Sequence, residues 1–574
     1  MNPLIQLSTA SNPLLVRKTF LQTILAVAIS VLAPIVAHAG SATWELNPGA
    51  GDWNMAANWT PITVPNGPAD TATFALSNTT DVSISANTEV NGITFTSAAT
   101  NPYTITAGLG LTLTISGVGI TNNSGATQNF VTAFDASGGA GTIVFSNSAT
   151  AGSNVSIFNG NGTINFLNTS TAGSATIGNF SDGTTFCTTN FFNRSTAGNS
   201  TIANESGSVL FANNSTAGSA FIDLDTISIL QFANNSTAAN STITTFFNSH
   251  VQFSDNSTAG SAFIGVQDGT FLQFANTSTA GSASIFASGG FISFEGSSQG
   301  GTAQINLQFF FTSGSFLDIS GHNAPGVTIG SLEGDETAAV FLGANNLAVG
   351  SNNLSTTFSG VIEDGGTGGS LTKIGTGTLI LSGANTYTGN TNVNRGVLQA
   401  DGSINSNTSV HGGGTLAGTG TINGNVTNNG RVSPGDASGV PGVLTVVHNY
   451  TQTQFATLMI QIAGMSPDQF SVLNVLGNAN LNGFLDPVLL NGFVPTIGQT
   501  FTFLNYASLT GEFSRINHRV FDNGLLQWSV IYEANHAILT VEQHTPDQGS
   551  TFLLLTLGLL GLVMYRRQLL RGQS

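Results

Sequence analysis

The sequence predicts an all-β protein whose central part is a β-solenoid, and three observations lead to that prediction. Between residues 141 and 306 one pattern occurs eight times: an apolar-x-Phe pair, then x-Asn-x-Ser-Thr-Ala-Gly, then small-x-Ile. Apolar and polar residues alternate at a spacing of two, which is typical of strands, and helix formers never recur at a spacing of 3.6. We therefore expect each repeat to form one coil, with coils stacked about 4.8 Å apart. The period is 21 residues between the threonines Thr216, Thr237, Thr258 and Thr279.

Two apolar columns are expected to form continuous stacks inside the solenoid. Burial of a phenylalanine contributes about 1.5–3 kcal/mol, which offsets the ordering of the many Gly and Ser corners. The first column contains Phe145, Phe166, Phe191, Phe211, Phe232, Phe253, Phe274 and Phe294. The second contains Ile177, Ile202, Ile222, Ile243, Ile264, Ile285 and Ile305.

A polar column accompanies the phenylalanines two residues later. Stacked amide side chains can hydrogen-bond from one layer to the next, as they do in cross-β structures. We expect such a ladder, bonded coil to coil, at Asn168, Asn193, Asn213, Asn234 and Asn276.

The residue pattern of the sequence changes along the chain, and these changes predict six segments. Only the central one has the 21-residue period, and we expect β caps or further coils around it. The expected segments are a signal peptide at 1–39, an N-terminal β cap with early coils at 40–140, the repeat solenoid at 141–306, a further β-helix at 307–440, a C-terminal β domain at 441–545 and a sorting signal or membrane anchor at 546–574.

The N-terminus has the pattern of a secretory signal peptide. Arg17 and Lys18 precede an apolar run over residues 20–36, and an A-x-A cleavage site follows at Ala37 and Ala39. The alternative is an uncleaved membrane helix. Either interpretation takes the following residues out of the cytoplasm.

Three of the four tryptophans, Trp44, Trp53 and Trp59, lie just after this signal. Because an uncovered terminal coil is an aggregation-prone edge, we expect them to form a cap on the solenoid. The alternative is an exposed aromatic platform on which a carbohydrate stacks.

The charge distribution argues against a nucleic-acid partner. Between the signal and the C-terminal apolar run, six basic residues stand against 28 acidic ones, a net charge near −22. Such a surface repels nucleic acid and anionic lipid. The single cysteine, Cys187, has no partner for an intramolecular disulfide, and we interpret it as a buried thiol.

Residues 369–398 carry the run L-T-K-I-G-T-G-T-L-I-L-S-G-A-N-T-Y-T-G, from Leu371 to Gly389, followed by V-N-R-G-V-L. This run closely resembles the autotransporter-associated β-strand repeat of bacterial surface passenger domains. The resemblance implies a right-handed parallel β-helix that is exported and displayed outside the cell. It implies no catalytic residues and no cofactor.

The C-terminus combines a short motif, an apolar run and a basic tail. The motif residues are Pro546, Asp547, Gly549 and Ser550, and the apolar run over 552–565 ends before three arginines. The combination resembles the PEP-CTERM class of bacterial sorting signals, most nearly its Val-Pro-Asp-Ser-Gly variant. The resemblance implies a short membrane helix and recognition by an exosortase-like membrane enzyme. The alternative is a plain C-terminal membrane anchor.

The sequence contains few candidate catalytic or metal-ligating groups. Asp223 and Asp225 form one candidate carboxylate pair, but no acidic residues follow at the same positions one and two periods later. Gly321-His322 is a faint pectinase-like pair without the acidic residues that should precede it. Lys373, the lone lysine of the exported segment, falls inside the passenger-type repeat. We therefore expect no metal or cofactor site.

Two functional classes remain. The first is a non-catalytic exported surface or matrix protein, able to act as an adhesin and to contact envelope or matrix polysaccharide. The second is a polysaccharide-active lyase or hydrolase with a site built from unrecognised residues. A third and weaker alternative is ice binding by the threonine column.

Overall fold

The computed structural model describes residues 40–133, 139–181, 186–311, 313–545 and 548–571. The predicted signal peptide with Ala37 and Ala39, and the motif residues Pro546 and Asp547, lie outside this part of the chain. The described chain is a parallel β-solenoid of about 18 turns, followed by one α-helix, Gln548–Arg571. The predicted parallel β-helix is thus confirmed, and its right-handed sense stays a prediction.

The described strands fall into three sheets that run along the solenoid. In spatial order the first sheet contains Trp59–Thr60, Ala42–Trp44, Gly67–Phe74, Thr88–Phe95, Thr112–Asn122, Thr142–Phe145, Thr163–Phe166, Thr188–Phe191, Ser208–Phe211, Ile229–Phe232, His250–Phe253, Phe271–Phe274, Phe291–Phe294, Phe316–Asp318, Ala339–Phe341 and Val361–Glu363.

The second sheet covers the other side of the coils. In chain order it contains Asp81–Ser83, Thr104–Ala107, Gln128–Thr132, Ser153–Gly160, Ser174–Phe180, Thr201–Glu205, Phe221–Asp225, Thr242–Thr245, Phe263–Gln267, Ser284–Ser288, Gln304–Gln308, Gly326–Ile329, Ser331–Gly334, Asn346–Val349, Thr356–Phe358, Ser370–Lys373, Thr378–Leu381, Thr391–Ala400, Thr408–Gly418, Val426–Asn428, Arg431–Pro434, Tyr450–Gln452, Thr457–Ile462, Asn478–Leu481, Phe484–Leu489, Ser508–Gly511 and Arg515–Ile516.

The third sheet begins in the passenger-type repeat and ends with the last strands of the solenoid. In spatial order it contains Ala384–Asn385, Ser403–Ile404, Thr421–Ile422, Val443–Val446, Val472–Val475, Thr500–Asn505, His536–Gln543, Leu526–Tyr532 and Val520–Phe521. Two short 3-10 turns, Ala56–Asn58 and Asp522–Gly524, complete the described elements.

Consecutive coils pair in register, so that like side chains meet. Phe166 lies opposite Phe145 on one side and Phe191 on the other. Along the eight-membered phenylalanine column, neighbouring rings have centroids 4.5–5.0 Å apart and planes within 12° of parallel. All eight rings are fully buried. The predicted Phe stack is therefore the core of the central coils.

The isoleucine column also pairs like residue with like residue where the spacing within a repeat differs by one residue. Ile157 stands one residue late in the first repeat, yet it pairs with Ile177 because the strand has an irregularity between Ser153 and Ser156. A β-bulge inserts one residue without turning the following side chains to the wrong face. The buried column is thus preserved across a one-residue insertion.

The tryptophans close the N-terminal end. Trp44, Trp53 and Trp59 are at most 2% exposed, and their ring centroids lie 5.5–6.0 Å from that of Phe74, the first ring of the following coils. Their indole N–H groups donate to backbone carbonyls, as buried tryptophans require. No ring face is available to solvent, so these rings form no exposed platform for carbohydrate, and the cap stays our interpretation of this aromatic cluster.

The solenoid continues past residue 441, where a separate C-terminal β domain is predicted. Thr421–Ile422 pairs in parallel with Val443–Val446, and Arg431–Pro434 pairs with Thr457–Ile462. Only beyond Arg515–Ile516 do the strands turn antiparallel. The large aromatic residues of this region therefore fill the last coils and the antiparallel strands that close them.

Candidate functional site: the ladders, the passenger-type repeat and the C-terminal helix

The asparagine column occupies a corner where the backbone is left-handed. Asn168, Asn193, Asn213, Asn234 and Asn276 have φ between 58° and 63°. Asparagine adopts this conformation more readily than other side chains apart from glycine. In the eighth repeat the position is filled by Gly296, with φ 64°. The column thus sets the turn from the first sheet into the corner.

The same asparagines join consecutive coils through their backbone as well as their side chains. The N–H of Asn168 donates to the side-chain oxygen of Asn193 at 3.0 Å, and that of Asn193 donates to Asn213 at 3.0 Å. The amide-to-amide bond from Asn213 to Asn234 is longer, 3.4 Å. We expected the side chains to bond to one another, whereas the closer partner of the side-chain oxygens of Asn193, Asn213 and Asn234 is a backbone N–H.

The threonine column forms the next corner. In the first seven repeats the threonine hydroxyl oxygen accepts a hydrogen bond from the N–H two residues later, for example from Gly218 to Thr216 at 3.0 Å. A Cβ at Gly218 would lie 2.7 Å from the carbonyl oxygen of Gly198 in the coil below. Close packing of the coils therefore explains the glycine of the Thr-Ala-Gly corner. The threonine hydroxyls stabilise the turn.

The candidate catalytic carboxylates are engaged in structural hydrogen bonds. Asp223 accepts from the Thr244 hydroxyl at 2.5 Å, and Asp225 accepts from the N–H of Thr226 at 2.8 Å. His322 is buried, with a ring nitrogen 2.6 Å from the carbonyl oxygen of Ser298. Within the described ranges, no group of three His, Cys, Asp or Glu side chains could hold a metal ion.

The passenger-type repeat contains a buried lysine. Lys373 is 1% exposed, and its amine donates to the carbonyl oxygens of Ile374 at 2.5 Å, Gly375 at 3.2 Å and Arg395 at 3.3 Å. Burial lowers the pKa of this amine to about 8. Because Arg395 lies on the next coil, the lysine joins two coils through their main chains. Its place is structural, as its position inside the repeat suggested.

A buried carboxylate organises the turn that leads into the repeat. Burial raises the pKa of Asp364, but hydrogen bonds from Thr388, Gly366 and Gly368 outweigh that effect and lower the pKa to about 2. The backbone N–H groups of Gly366, Gly368 and Gly369 donate at 2.8–2.9 Å, and the Thr388 hydroxyl donates at 2.7 Å. This network was not predicted from the sequence, because Asp364 lies outside the run that resembles the passenger-type repeat.

Cys187 is fully buried, and burial raises the pKa of its thiol to about 11. A thiol with so high a pKa is almost entirely protonated at neutral pH and is therefore a poor nucleophile. Its neighbourhood supports the interpretation as a buried, inert side chain.

The helix Gln548–Arg571 begins within the predicted sorting motif and includes Gly549 and Ser550. Its large apolar side chains between Leu555 and Tyr565 are each at least 52% exposed. Arg566 and Arg567 follow directly. Among the described residues, no helix combines the length and the apolarity needed to cross a membrane. The predicted helix is confirmed, whereas its role in a membrane is not shown.

Two family matches fall on the two segments singled out above. Residues 371–400 match the Passenger-associated-transport-repeat, and residues 546–569 match the VPDSG-CTERM motif. Among curated proteins, the adhesin BmaC autotransporter of Brucella suis biovar 1 (strain 1330) is 62% identical over 53 residues. The match covers 9% of this chain and 2% of the adhesin's length.

The chain therefore combines a parallel β-solenoid with a Passenger-associated-transport-repeat and a C-terminal VPDSG-CTERM motif, the features of a bacterial exported β-solenoid protein.

Proposed function

We propose that this chain is a non-catalytic, adhesin-like protein of the cell surface or extracellular matrix. The observation that carries the proposal is the solenoid itself, a stack of parallel coils whose Asn and Thr corner side chains are engaged in hydrogen bonds within and between coils. The similarity of one segment to an adhesin autotransporter supports the same class. The alternative, a polysaccharide-active enzyme, needs carboxylates brought together on one face, and the candidate pair Asp223 and Asp225 is held in structural hydrogen bonds.

The C-terminus would deliver the solenoid to the envelope. In this proposal an exosortase-like membrane enzyme recognises the motif that begins at Pro546 and removes the tail. The exposed apolar helix would be held in the membrane before processing, with Arg566 and Arg567 on the cytoplasmic side. Support comes from the match of residues 546–569 to the VPDSG-CTERM motif.

The surface charge indicates which classes of binding partner this chain favours. A net charge near −22 disfavours nucleic acid and anionic lipid headgroups. Polysaccharide of the envelope or matrix, rich in hydroxyl groups, suits the Ser, Thr and Asn side chains on the outside of the coils.

Cell fractionation tests the proposal. The full chain and a variant lacking 546–574 are expressed in a bacterium that has an exosortase, and the cell-surface, membrane and medium fractions are probed. We expect the full chain on the surface or in the matrix and the truncated chain elsewhere. Pro546→Ala with Asp547→Ala should behave like the truncation, whereas Gln543→Ala, just before the motif, should not. An unchanged location after truncation would show that the C-terminus is not the sorting signal.

A further inference from the structure

We propose that a cleft at the C-terminal end of the solenoid binds a carboxylate-bearing sugar unit of an acidic polysaccharide. The inference deepens the proposed function, and rests on it for the setting in which such a polysaccharide is met. The cleft lies between residues 512–519 and residues 529–532.

The cleft exists because parallel stacking stops there. Among the described strands, Arg515–Ile516 pairs with Phe484–Leu489 and ends the second sheet. The following strands fold back as an antiparallel pair, Leu526–Tyr532 with His536–Gln543. The space left between this pair and the last coil is about 630 Å³. Sites for small ligands have volumes of about 300–1,000 Å³, so one or two sugar rings can be accommodated.

The charge of the cleft is opposite to that of the surrounding chain. Arg515 and Arg519 both line it, and they are two of only six basic residues in a segment with 28 acidic ones. Neither guanidinium forms an ion pair within the described part of the chain. A guanidinium presents parallel N–H donors that fit the two oxygens of a carboxylate. Two unpaired guanidiniums facing one cavity therefore indicate an anionic ligand.

The remaining lining indicates hydroxyl groups on that ligand. Glu512 also lines the cleft, and its carboxylate accepts hydrogen bonds, so it favours a ligand that carries hydroxyl donors beside its anionic group. Ser514 and Ser529 line opposite sides of the cleft, and their hydroxyls, which donate to the Gly483 carbonyl oxygen and the Glu542 carboxylate, can still accept hydrogen bonds from a ligand. A ligand that combines one carboxylate with several hydroxyls, as a uronic acid does, satisfies both kinds of group.

Two side chains that line the cleft, His518 and Tyr532, form hydrogen bonds to the neighbouring structure. Nδ1 of His518 lies 2.9 Å from a carboxylate oxygen of the largely buried Asp486. The hydroxyl of Tyr532 accepts a hydrogen bond from the N–H of Phe513 at 3.0 Å, which fixes the phenol ring against the opposite wall. Aromatic rings are the surfaces on which the apolar face of a sugar packs. The cleft is therefore partly organised before a ligand arrives.

Calorimetric titration of the full chain with tetragalacturonate tests this inference. We expect binding that weakens about tenfold or more in Arg515→Gln and in Arg519→Gln, because each variant loses a charge-assisted hydrogen bond. Arg194→Gln, which removes an exposed arginine from the repeat coils, should change the affinity less than about twofold. Arg515→Lys should recover part of the affinity. Circular dichroism and the Tm identify any variant that has lost its fold.

The alternatives give different results. A neutral galactose tetrasaccharide should bind more weakly than tetragalacturonate, and inorganic phosphate should not compete with it. Absence of tetragalacturonate binding, equal loss in Arg194→Gln, or competition by phosphate would each overturn the inference. Chain that reaches the surface but does not bind contradicts only this inference. Chain that binds but is not sorted contradicts only the proposed function.

Discussion

Removing one ring from the phenylalanine column should cost more than any other single truncation in the central coils. The ring of Phe232 is fully buried, with centroids 4.9 Å from Phe211 and 4.6 Å from Phe253. Phe→Ala substitutions in cores cost about 3–5 kcal/mol, and the cost rises where the site cannot collapse. Strand pairing holds the coils above and below Phe232 at a fixed distance, so the cavity stays open. We therefore expect Phe232→Ala to cost about 4 kcal/mol.

The loss should be local, because each coil contacts mainly its neighbours. Hydrogen exchange of backbone amides, read coil by coil, measures this better than a single global transition. Phe221→Ala provides the matched control, because Phe221 lies in an adjacent strand of the same repeat region but is 42% exposed. Its loss should cost about 1 kcal/mol or less.

The double variant Phe211→Ala with Phe232→Ala should cost less than the sum of the two single variants, because the two rings share a contact. If Phe232→Ala and Phe221→Ala changed exchange equally, or if the change spread evenly over all coils, the stacked column would not be the core that we describe.

Further predictions concern single polar residues. Asp364 has a folded pKa of about 2, below its ordinary value of 3.8, so its contribution of about 2 kcal/mol should be present above pH 4 and lost as pH falls towards 2. Urea unfolding of the native chain and of Asp364→Asn should show a difference that is largest above pH 4 and shrinks as pH falls towards 2. Lys373→Met leaves three carbonyl oxygens without their donor, and its unfolding free energy should fall by about 1–3 kcal/mol in the same assay. Asn234→Ala and Asn234→Gly both lose the acceptor for the N–H of Asn213, but only alanine is strained at φ 58°, so Asn234→Ala should destabilise by about 1 kcal/mol more than Asn234→Gly, and equal effects would refute the role of the left-handed corner. Cys187 should react with an excess of a thiol reagent only after unfolding, and labelling of the native chain would contradict its burial.

The repeat made the central coils predictable from sequence, because a 21-residue period in a chain of short strands allows few other arrangements. The columns of Phe and Ile follow directly, since in-register parallel pairing brings position onto position. The cap by Trp44, Trp53 and Trp59 was also predictable, because three large aromatic rings beside an open coil are removed from water by packing against that coil. These inferences depend on residues near one another in the sequence or related by the period.

The structural features that could not be predicted from the sequence depend on contacts between segments that do not resemble one another. Lys373 finds its partner Arg395 across coils that do not repeat, and Asp364 collects its donors from a loop and from the next coil. The cleft of Arg515 and Arg519 is closed by an antiparallel strand that follows a change in strand direction. The left-handed backbone of the asparagine corner could have been anticipated, since this position holds Asn in six of the eight repeats and Gly296 in the last, and these two residue types adopt that conformation most readily.

The in-register pairing of nearly identical coils has a consequence for how such a gene can change. Deleting or duplicating one whole 21-residue unit in the middle leaves every remaining interface as it was, because the new neighbours present the same columns. The two closures, tryptophan at one end and antiparallel strands at the other, would be untouched. Unequal recombination between repeats can therefore alter the reach of the protein in steps of one coil.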